Sequence, residues 1–385
     1  MRWSVVKRKL ARVDRAIDQA IAKAEIPGAV VLARMPMHGE RLEYFCARGH
    51  AVLRPERIPM ARETIFDLAS LTKPIATTTG ILLLASDGAL GIDDPVSKFL
   101  PEFAERDKQT VTIRHLLTHS SGLRPWRGFH DLLLDKERRT GERLIGTPAA
   151  REFVLERVLR SALVHEPGAA AVYGDLDFIV LGAVVEAVSR RPLDEFAAER
   201  VFRPLGMRDS FFVRTGDGVP GLPEAVRRRV AATENCPWRG RIVWGEVHDP
   251  NASVMGGVAG HAGLFSSADD VMGFAQTILD VWHGRSELLP RELLRAFLTR
   301  QHLPPGSDWA LGWDTPTRGA SSSGKHFSEP SVGHLGFTGT SLWIDLEKEA
   351  IVVMLTNRVH LVAKRSRFEL RPLAHDGILE AFAEA

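Results

Sequence analysis

A serine and a lysine three residues apart, Ser70 and Lys73, stand in Phe66-Asp67-Leu68-Ala69-Ser70-Leu71-Thr72-Lys73-Pro74. On a helix that spacing puts both side chains on one face. A hydroxyl attacks a carbonyl at neutral pH only once a base takes its proton, and a desolvated lysine whose pKa has fallen can be that base. The pattern alone is weak, because Ser4 with Lys7 and Ser322 with Lys325 repeat it. Context separates the three. Ser4 opens a charged tail and Ser322 lies in a flexible loop, whereas Ser70 follows the apolar Ile65-Phe66 pair and begins a helix. At a helix N-terminus the dipole favours developing negative charge. Taken alone, the same residues also read as an N-cap serine with a surface lysine.

Other clusters could complete a site. Tyr173-Gly174-Asp175 opens an apolar helix at Leu176, and a tyrosine beside a lysine can relay a proton. Its plainer reading is a partly buried tyrosine next to an Asp N-cap, although the chain has only two tyrosines to place. In Gly333-His334-Leu335-Gly336-Phe337-Thr338-Gly339-Thr340 alternating glycines let a substrate or another backbone approach. An edge strand there can offer a backbone N–H to an oxyanion. Residues 256–264, rich in glycine, favour tight packing over chemistry. His115 and His119 are spaced like a metal pair but lack an intervening Glu and a third ligand, so a helix C-terminus with a glycine cap is expected. Residues 319–325 fit Gly-x4-Gly-Lys, but His326 stands where Mg²⁺ would need Ser or Thr. Gly-x-Ser-x-Gly does not occur in the chain.

The elements that must position these residues follow from periodicity. Leu10, Val13, Ile17 and Ile21 predict an amphipathic helix closed by Pro27-Gly28. Residues 29–33 and 42–47 predict a hairpin turning near His38-Gly39, and residues 341–345 and 350–356 a second one. A last helix should carry Leu373, Ile378, Leu379 and Phe382 on one face. Between the ends, helices are expected at 79–87, 114–118, 147–160 and 178–189. Residues 123–146, with many charges and Trp126, read as a surface excursion. The fold class is therefore α+β: one antiparallel sheet from both chain ends, flanked by helices, with a mainly helical insertion. A single domain spanning residues 1–385 is expected, its α/β part at about 1–69 and 240–385 and its helical part at about 70–239.

Composition narrows the partners. With 50 basic and 48 acidic residues in 385, the formal charge of +2 leaves no footprint for nucleic acid. The 44% apolar content supports a large core. Two distant cysteines, Cys46 and Cys236, fit a reduced compartment. No apolar h-region follows the first basic residues, and no stretch is long enough to span a bilayer. A soluble cytoplasmic protein is expected, or a periplasmic one if a leader has been removed.

In order, Ser70-x-x-Lys73, Tyr173-x-Asp175 and His334-x-Gly336 closely resemble the motifs of the serine β-lactamase and penicillin-binding-protein superfamily. The likeness is nearest to the branch of class C β-lactamases, D,D-peptidases and related esterases, and it covers about residues 10–385. The resemblance implies a β-lactamase-like fold and a serine hydrolase. Ser70 would form an acyl-enzyme, while Lys73 and Tyr173 would share general-base work and protonate the leaving group. The backbone N–H groups of Ser70 and Phe337 would form the oxyanion hole. Asp175, His334 and Gly336 would bind substrate or support these groups, and no metal or organic cofactor is implied.

Two departures bear on substrate. Relatives that bind β-lactams or D-Ala-D-Ala peptides usually carry Lys-Thr-Gly where this chain has His334-Leu335-Gly336. A histidine of ordinary pKa is mostly neutral at pH 7 and leucine makes no hydrogen bond, which weakens recognition of a substrate carboxylate. Asp175 replaces the usual Asn, which would raise the pKa of Lys73 unless desolvation offsets it. The expected activity is an esterase or amidase on small acyl substrates. Alternatives are a D,D-carboxypeptidase, D-aminopeptidase or β-lactamase, and, from another class, a catalytically inactive sensor. The pocket is expected to draw on residues 123–146 and 309–313.

Overall fold

The computed structural model describes residues 2–37, 40–216, 218–317, 319, 321–360 and 369–383, so the expected turn at His38-Gly39 lies outside the described residues. Strands β1 (Gly28–Met37), β2 (Glu40–Val52) and β3 (Ile58–Pro59) form half of a six-stranded sheet. The strands Ala350–Thr356, Ser341–Asp345 and Ser331–Leu335 complete it, in that spatial order beyond β1. Strand β1 joins the two chain ends, pairing antiparallel with β2 through Val30↔Ala47 and with the C-terminal strand through Val30↔Leu355.

Strand β1 shows why this sheet reads as an apolar run. Its side chains alternate between faces. Ala29, Val31 and Ala33 join one apolar cluster with Val13 and Ile17 of helix α1 (Arg2–Ala22) and with Ile378 of the helix Leu370–Phe382. Val30 and Leu32 join the other, with Phe274 and Ile278 of the helix Ala268–Trp282. Both faces are covered, so no polar alternation survives in the sequence.

Helices α2 (Thr79–Ser86), α3 (Ile113–Leu117), α4 (Phe129–Thr140), α5 (Pro148–Leu159) and α6 (Leu176–Ser189) fall within the expected helical part. A small sheet links that part to the rest: β4 (Ile65–Asp67) pairs with the strand Leu264–Ser267 through Phe66↔Ser266. It delivers the chain directly to Ser70. Among the described residues no helix is long and apolar enough to cross a membrane.

Three expectations need correction. Ser4 lies inside α1 rather than in a tail, so helical setting alone does not distinguish Ser70. Leu373 is 53% exposed, and the last helix instead buries Leu370, Ala374, Ile378, Leu379 and Phe382. Residues 123–146 are not a simple excursion, because α4 buries Phe129 and Leu133 against the core.

Candidate active site

Ser70 sits in a tight turn (Ala69–Leu71) that leads into a π-helical turn (Lys73–Thr78) and then α2. Ala69 holds φ at 48°, a left-handed conformation costly for any residue with a Cβ. The surroundings hold it there. Asp67 Oδ1 accepts from Ala69 N–H at 2.8 Å, while its Oδ2 accepts from His248 N–H at 2.6 Å. Thr72 Oγ1 donates to Ala69 O at 2.7 Å and accepts from Leu264 N–H at 3.1 Å. The nucleophile candidate therefore stands on a braced turn.

Lys73 is fully buried, and its Nζ meets four oxygens. These are Asp175 Oδ1 at 2.7 Å, Ser70 Oγ at 2.9 Å, Tyr173 Oη at 3.0 Å and His261 O at 3.2 Å. Asp175 occupies the N-cap position of α6, yet its carboxylate caps nothing and turns to Lys73 instead. Burial draws the Lys73 ammonium down, but the charge and hydrogen bonds of Asp175 and Tyr173 outweigh it and hold its pKa above the ordinary value. The resting lysine is thus a cation. A lysine left neutral by desolvation is not what this pocket contains, and the physical reason is Asp175.

The His334 motif lies on the edge strand Ser331–Leu335. Beyond it, Gly336 N–H donates to Thr340 O and Gly339 N–H to Gly336 O, at 2.8 and 3.0 Å. Phe337 N–H takes no part in these bonds of the turn. Two side chains staple the turn to the Ser70 segment: Thr338 Oγ1 donates to Asp67 O at 2.8 Å, and Thr340 Oγ1 to Leu68 O at 3.0 Å. From the other side Arg371 Nη2 donates to Gly336 O at 2.6 Å and Thr340 O at 2.9 Å. A Cβ at Gly336 would meet Thr340 Oγ1 at 2.0 Å and Leu68 O at 2.5 Å, so only glycine allows this approach. His334 is buried, which pushes its pKa well below the ordinary value with the Lys73 charge adding to the effect. Its ring is neutral. Nδ1 lies 2.8 Å from Leu335 O, and Nε2 has no hydrogen-bond partner among the described residues.

The structure brings Ser70, Tyr173, Asp175, His334, Gly336 and Phe337 to one cleft of about 940 Å³, with the Lys73 ammonium beneath its floor. Trp309 lies parallel to Tyr173 at 5.6 Å between ring centroids, and Trp126 and Phe337 add apolar walls. The expected pocket segments contribute one tryptophan each, Trp126 and Trp309, whereas Trp313 is buried against Phe274. Asp175, Asp249 and His261 present donor atoms within 4.8 Å of one another. Lys73 already engages Asp175, and His261 Nε2 lies 3.0 Å from Asp249 Oδ1, so the cluster satisfies itself.

Several contributors escaped sequence reasoning. His119 is itself the left-handed residue after α3, at φ 55°, in place of the expected glycine cap. Its ring packs edge-on to Tyr173 at 4.8 Å and Trp309 at 4.6 Å. Its Nδ1 accepts from Gly174 N–H at 3.3 Å and also faces Asp177 Oδ2 at 3.1 Å. An acceptor Nδ1 requires the Asp177 carboxyl to supply the proton of that second contact. Burial, opposed by a hydrogen bond from Ser121, pushes Asp177 up to about 8, while burial drives His119 down to about 3. Both are therefore neutral near pH 7. Residues 256–264, expected to be structural, also supply His261 O to Lys73. Gly260 makes this possible, since a Cβ there would lie 2.1 Å from Phe178 O.

A family model described as Beta-lactamase matches residues 13–375. A protein of Escherichia coli K12 provisionally named D-alanyl-D-alanine carboxypeptidase is 32% identical over 341 residues, 80% of this chain and 73% of its own. The N-acetylmuramyl-L-alanine amidase of Bacillus subtilis 168 is 30% identical over 378 residues, 92% of this chain and 82% of its own. Among solved structures, EstCE1, described as a hydrolase with promiscuous acyltransferase activity, aligns with TM-score 0.71 at 25% identity. That alignment covers 97% of this chain and 99% of EstCE1.

Proposed function

The chain belongs to the beta-lactamase family and is a serine hydrolase, and we propose that it cleaves esters and amides through an acyl-enzyme on Ser70. One observation carries this reading: a single buried Nζ, that of Lys73, lies within 3.0 Å of both Ser70 Oγ and Tyr173 Oη. Ser70 attacks the substrate carbonyl. Its proton passes into the Lys73–Tyr173 pair, which later returns one to the leaving group. Because the resting Lys73 is an ammonium, the pair can take that proton only after releasing one of its own, and either Tyr173 Oη as a phenolate or Lys73 Nζ as an amine then accepts it. The backbone N–H groups of Ser70 and Phe337 receive the oxyanion, and the Thr338, Thr340 and Arg371 bonds fix the second donor relative to the first. Water then hydrolyses the ester on Ser70.

Neutral His334 and apolar Leu335 support an esterase or amidase over a β-lactamase, because neither supplies charge to a substrate carboxylate. The cleft of about 940 Å³ admits larger acyl groups than sequence alone suggested. A D,D-carboxypeptidase is the second reading. It is favoured by Arg358 and Arg371, which line the same cleft, and by the name of the Escherichia coli relative. An inactive sensor fits poorly with intact Ser70, Lys73 and Tyr173. An activity panel tests the order: turnover of p-nitrophenyl butyrate without nitrocefin hydrolysis supports the esterase. Release of D-alanine from a D-Ala-D-Ala-ended peptide supports the carboxypeptidase, and nitrocefin hydrolysis without ester turnover overturns both.

A further inference from the structure

A second cavity, of about 690 Å³, also has Trp126 in its lining: it is bounded by Trp126 and Glu156 with Arg106, Arg124, Arg127, Arg157 and Arg160. Five guanidinium groups around one groove are unexpected in a chain whose formal charge is only +2. Many arginines elsewhere meet carboxylates, as Arg62 does Asp269, Arg214 Asp194, Arg228 Glu56, Arg229 Asp209 and Arg241 Glu246. In the groove only Arg160 is so paired, to Glu156 and Glu105. Arg106, Arg124, Arg127 and Arg157 have no ion-pair partner among the described residues.

A cation next to the lining adds to the field, since Ser161 lines the groove and its carbonyl accepts from Lys108. Lys108 is buried, and its Nζ donates to Leu159 O at 2.6 Å and Ser161 O at 2.8 Å, with no carboxylate bonded to it. Burial lowers its pKa, and the charge of Arg106 lowers it further while that of Glu105 opposes the shift. Uncompensated like charges in a concavity repel one another and concentrate counter-ions. Guanidinium forks match carboxylate and phosphate oxygens in pairs. Trp126, 49% exposed, lines both this groove and the Ser70 cleft, so one ligand can pass over its indole from one to the other.

We propose that the arginine groove is an anion subsite of the Ser70 cleft, taking a phosphate- or carboxylate-bearing arm of the substrate across Trp126. The link to the cleft rests on the Ser70 reading, whereas anion binding does not. The site moves charge recognition away from His334-Leu335, where the chain lacks it, to a wall the motif does not touch.

Calorimetry on the Ser70→Ala protein separates the two parts, since it measures binding without turnover. Sodium tripolyphosphate and a triglutamate peptide are the probes. At least one should bind, more weakly as salt rises. The double variants Arg124→Gln/Arg127→Gln and Arg106→Gln/Arg157→Gln, with melting curves as folding controls, should each lose affinity by at least about tenfold. Tighter triglutamate binding assigns a carboxylate arm, and tighter tripolyphosphate binding a phosphate arm. No binding, unchanged affinity in both variants, or tighter binding of duplex DNA than of either probe overturns the subsite. The link to the cleft is read in wild type from p-nitrophenyl esters whose acyl chains end in a phosphonate, a carboxylate or a methyl. An anionic ester should show KM lower by about fivefold or more, a gap that Arg124→Gln/Arg127→Gln closes. Equal KM values, with turnover present, overturn the link.

Discussion

Replacing Asp175 by Asn, the residue usual at this position in relatives, changes charge with little change of shape. Asp175 Oδ1 is 2.7 Å from Lys73 Nζ, in a pair whose lysine side chain is wholly buried and whose carboxylate is 20% exposed. Coulomb's law at that distance gives roughly 1.5 to 6 kcal/mol as the effective dielectric runs from bulk water to a protein surface. At about 1.4 kcal/mol per pKa unit, the ammonium should lose about 1 to 4 units of support. Burial, which already opposes the charge, would then act with less resistance. The assay is kcat/KM for p-nitrophenyl butyrate across about pH 5 to 10, with Asp175→Asn beside wild type. Wild-type Lys73 titrates above this window, so the effect is read at fixed pH. If Lys73 must lose its proton to act, Asp175→Asn gains rate by at least about tenfold across the basic half of the window; if it must keep it, the variant loses rate towards about pH 10 where wild type does not. Superimposable pH profiles would refute the claim that Asp175 sets the protonation of Lys73.

Gly336→Ala should cut the rate of Ser70 acylation by about a hundredfold or more, because the added Cβ forces the Phe337 turn away from Leu68; stopped-flow release of p-nitrophenol from p-nitrophenyl butyrate reads it. Asp177→Asn should keep the bond to His119 while removing a titration. The Asp177 carboxyl is raised in the folded state from 3.8 to about 8, so folding takes up a proton between those values and its stability contribution falls as pH rises through that window. Melting temperatures taken across the window should therefore fall less steeply in Asp177→Asn than in wild type. The double variant His334→Lys/Leu335→Thr should acylate with labelled penicillin faster than wild type, and an unchanged rate would remove the carboxylate argument.

Much of the scaffold was legible because it rests on local signals. The period of Val13 and Ile17 marks α1, and the apolar run of β1 marks a strand covered on both faces. The Ser70, Tyr173 and His334 segments were legible because each pairs a reactive side chain with the start of a helix or a glycine-rich edge strand. What stayed hidden depends on contacts far apart in sequence. The sequence placed Asp175 against Lys73 with two opposing effects on its pKa, but which one prevails depends on the depth and contacts of the folded pocket. Likewise, His119 takes a left-handed backbone usually left to glycine, so its spacing from His115 suggested a cap after the helix rather than a buried ring against Tyr173. The arginine groove draws on residues from before α3 to the end of α5, and no single stretch of sequence carries its charge.

Ser70 is the proposed nucleophile, and intact-mass spectrometry of the protein after exposure to a fluorophosphonate, which phosphonylates an activated serine, tests this most directly. One adduct is expected on wild type, mapped to the peptide holding Ser70, and none on Ser70→Ala. An unmodified wild type, or an equal adduct on Ser70→Ala, would contradict it.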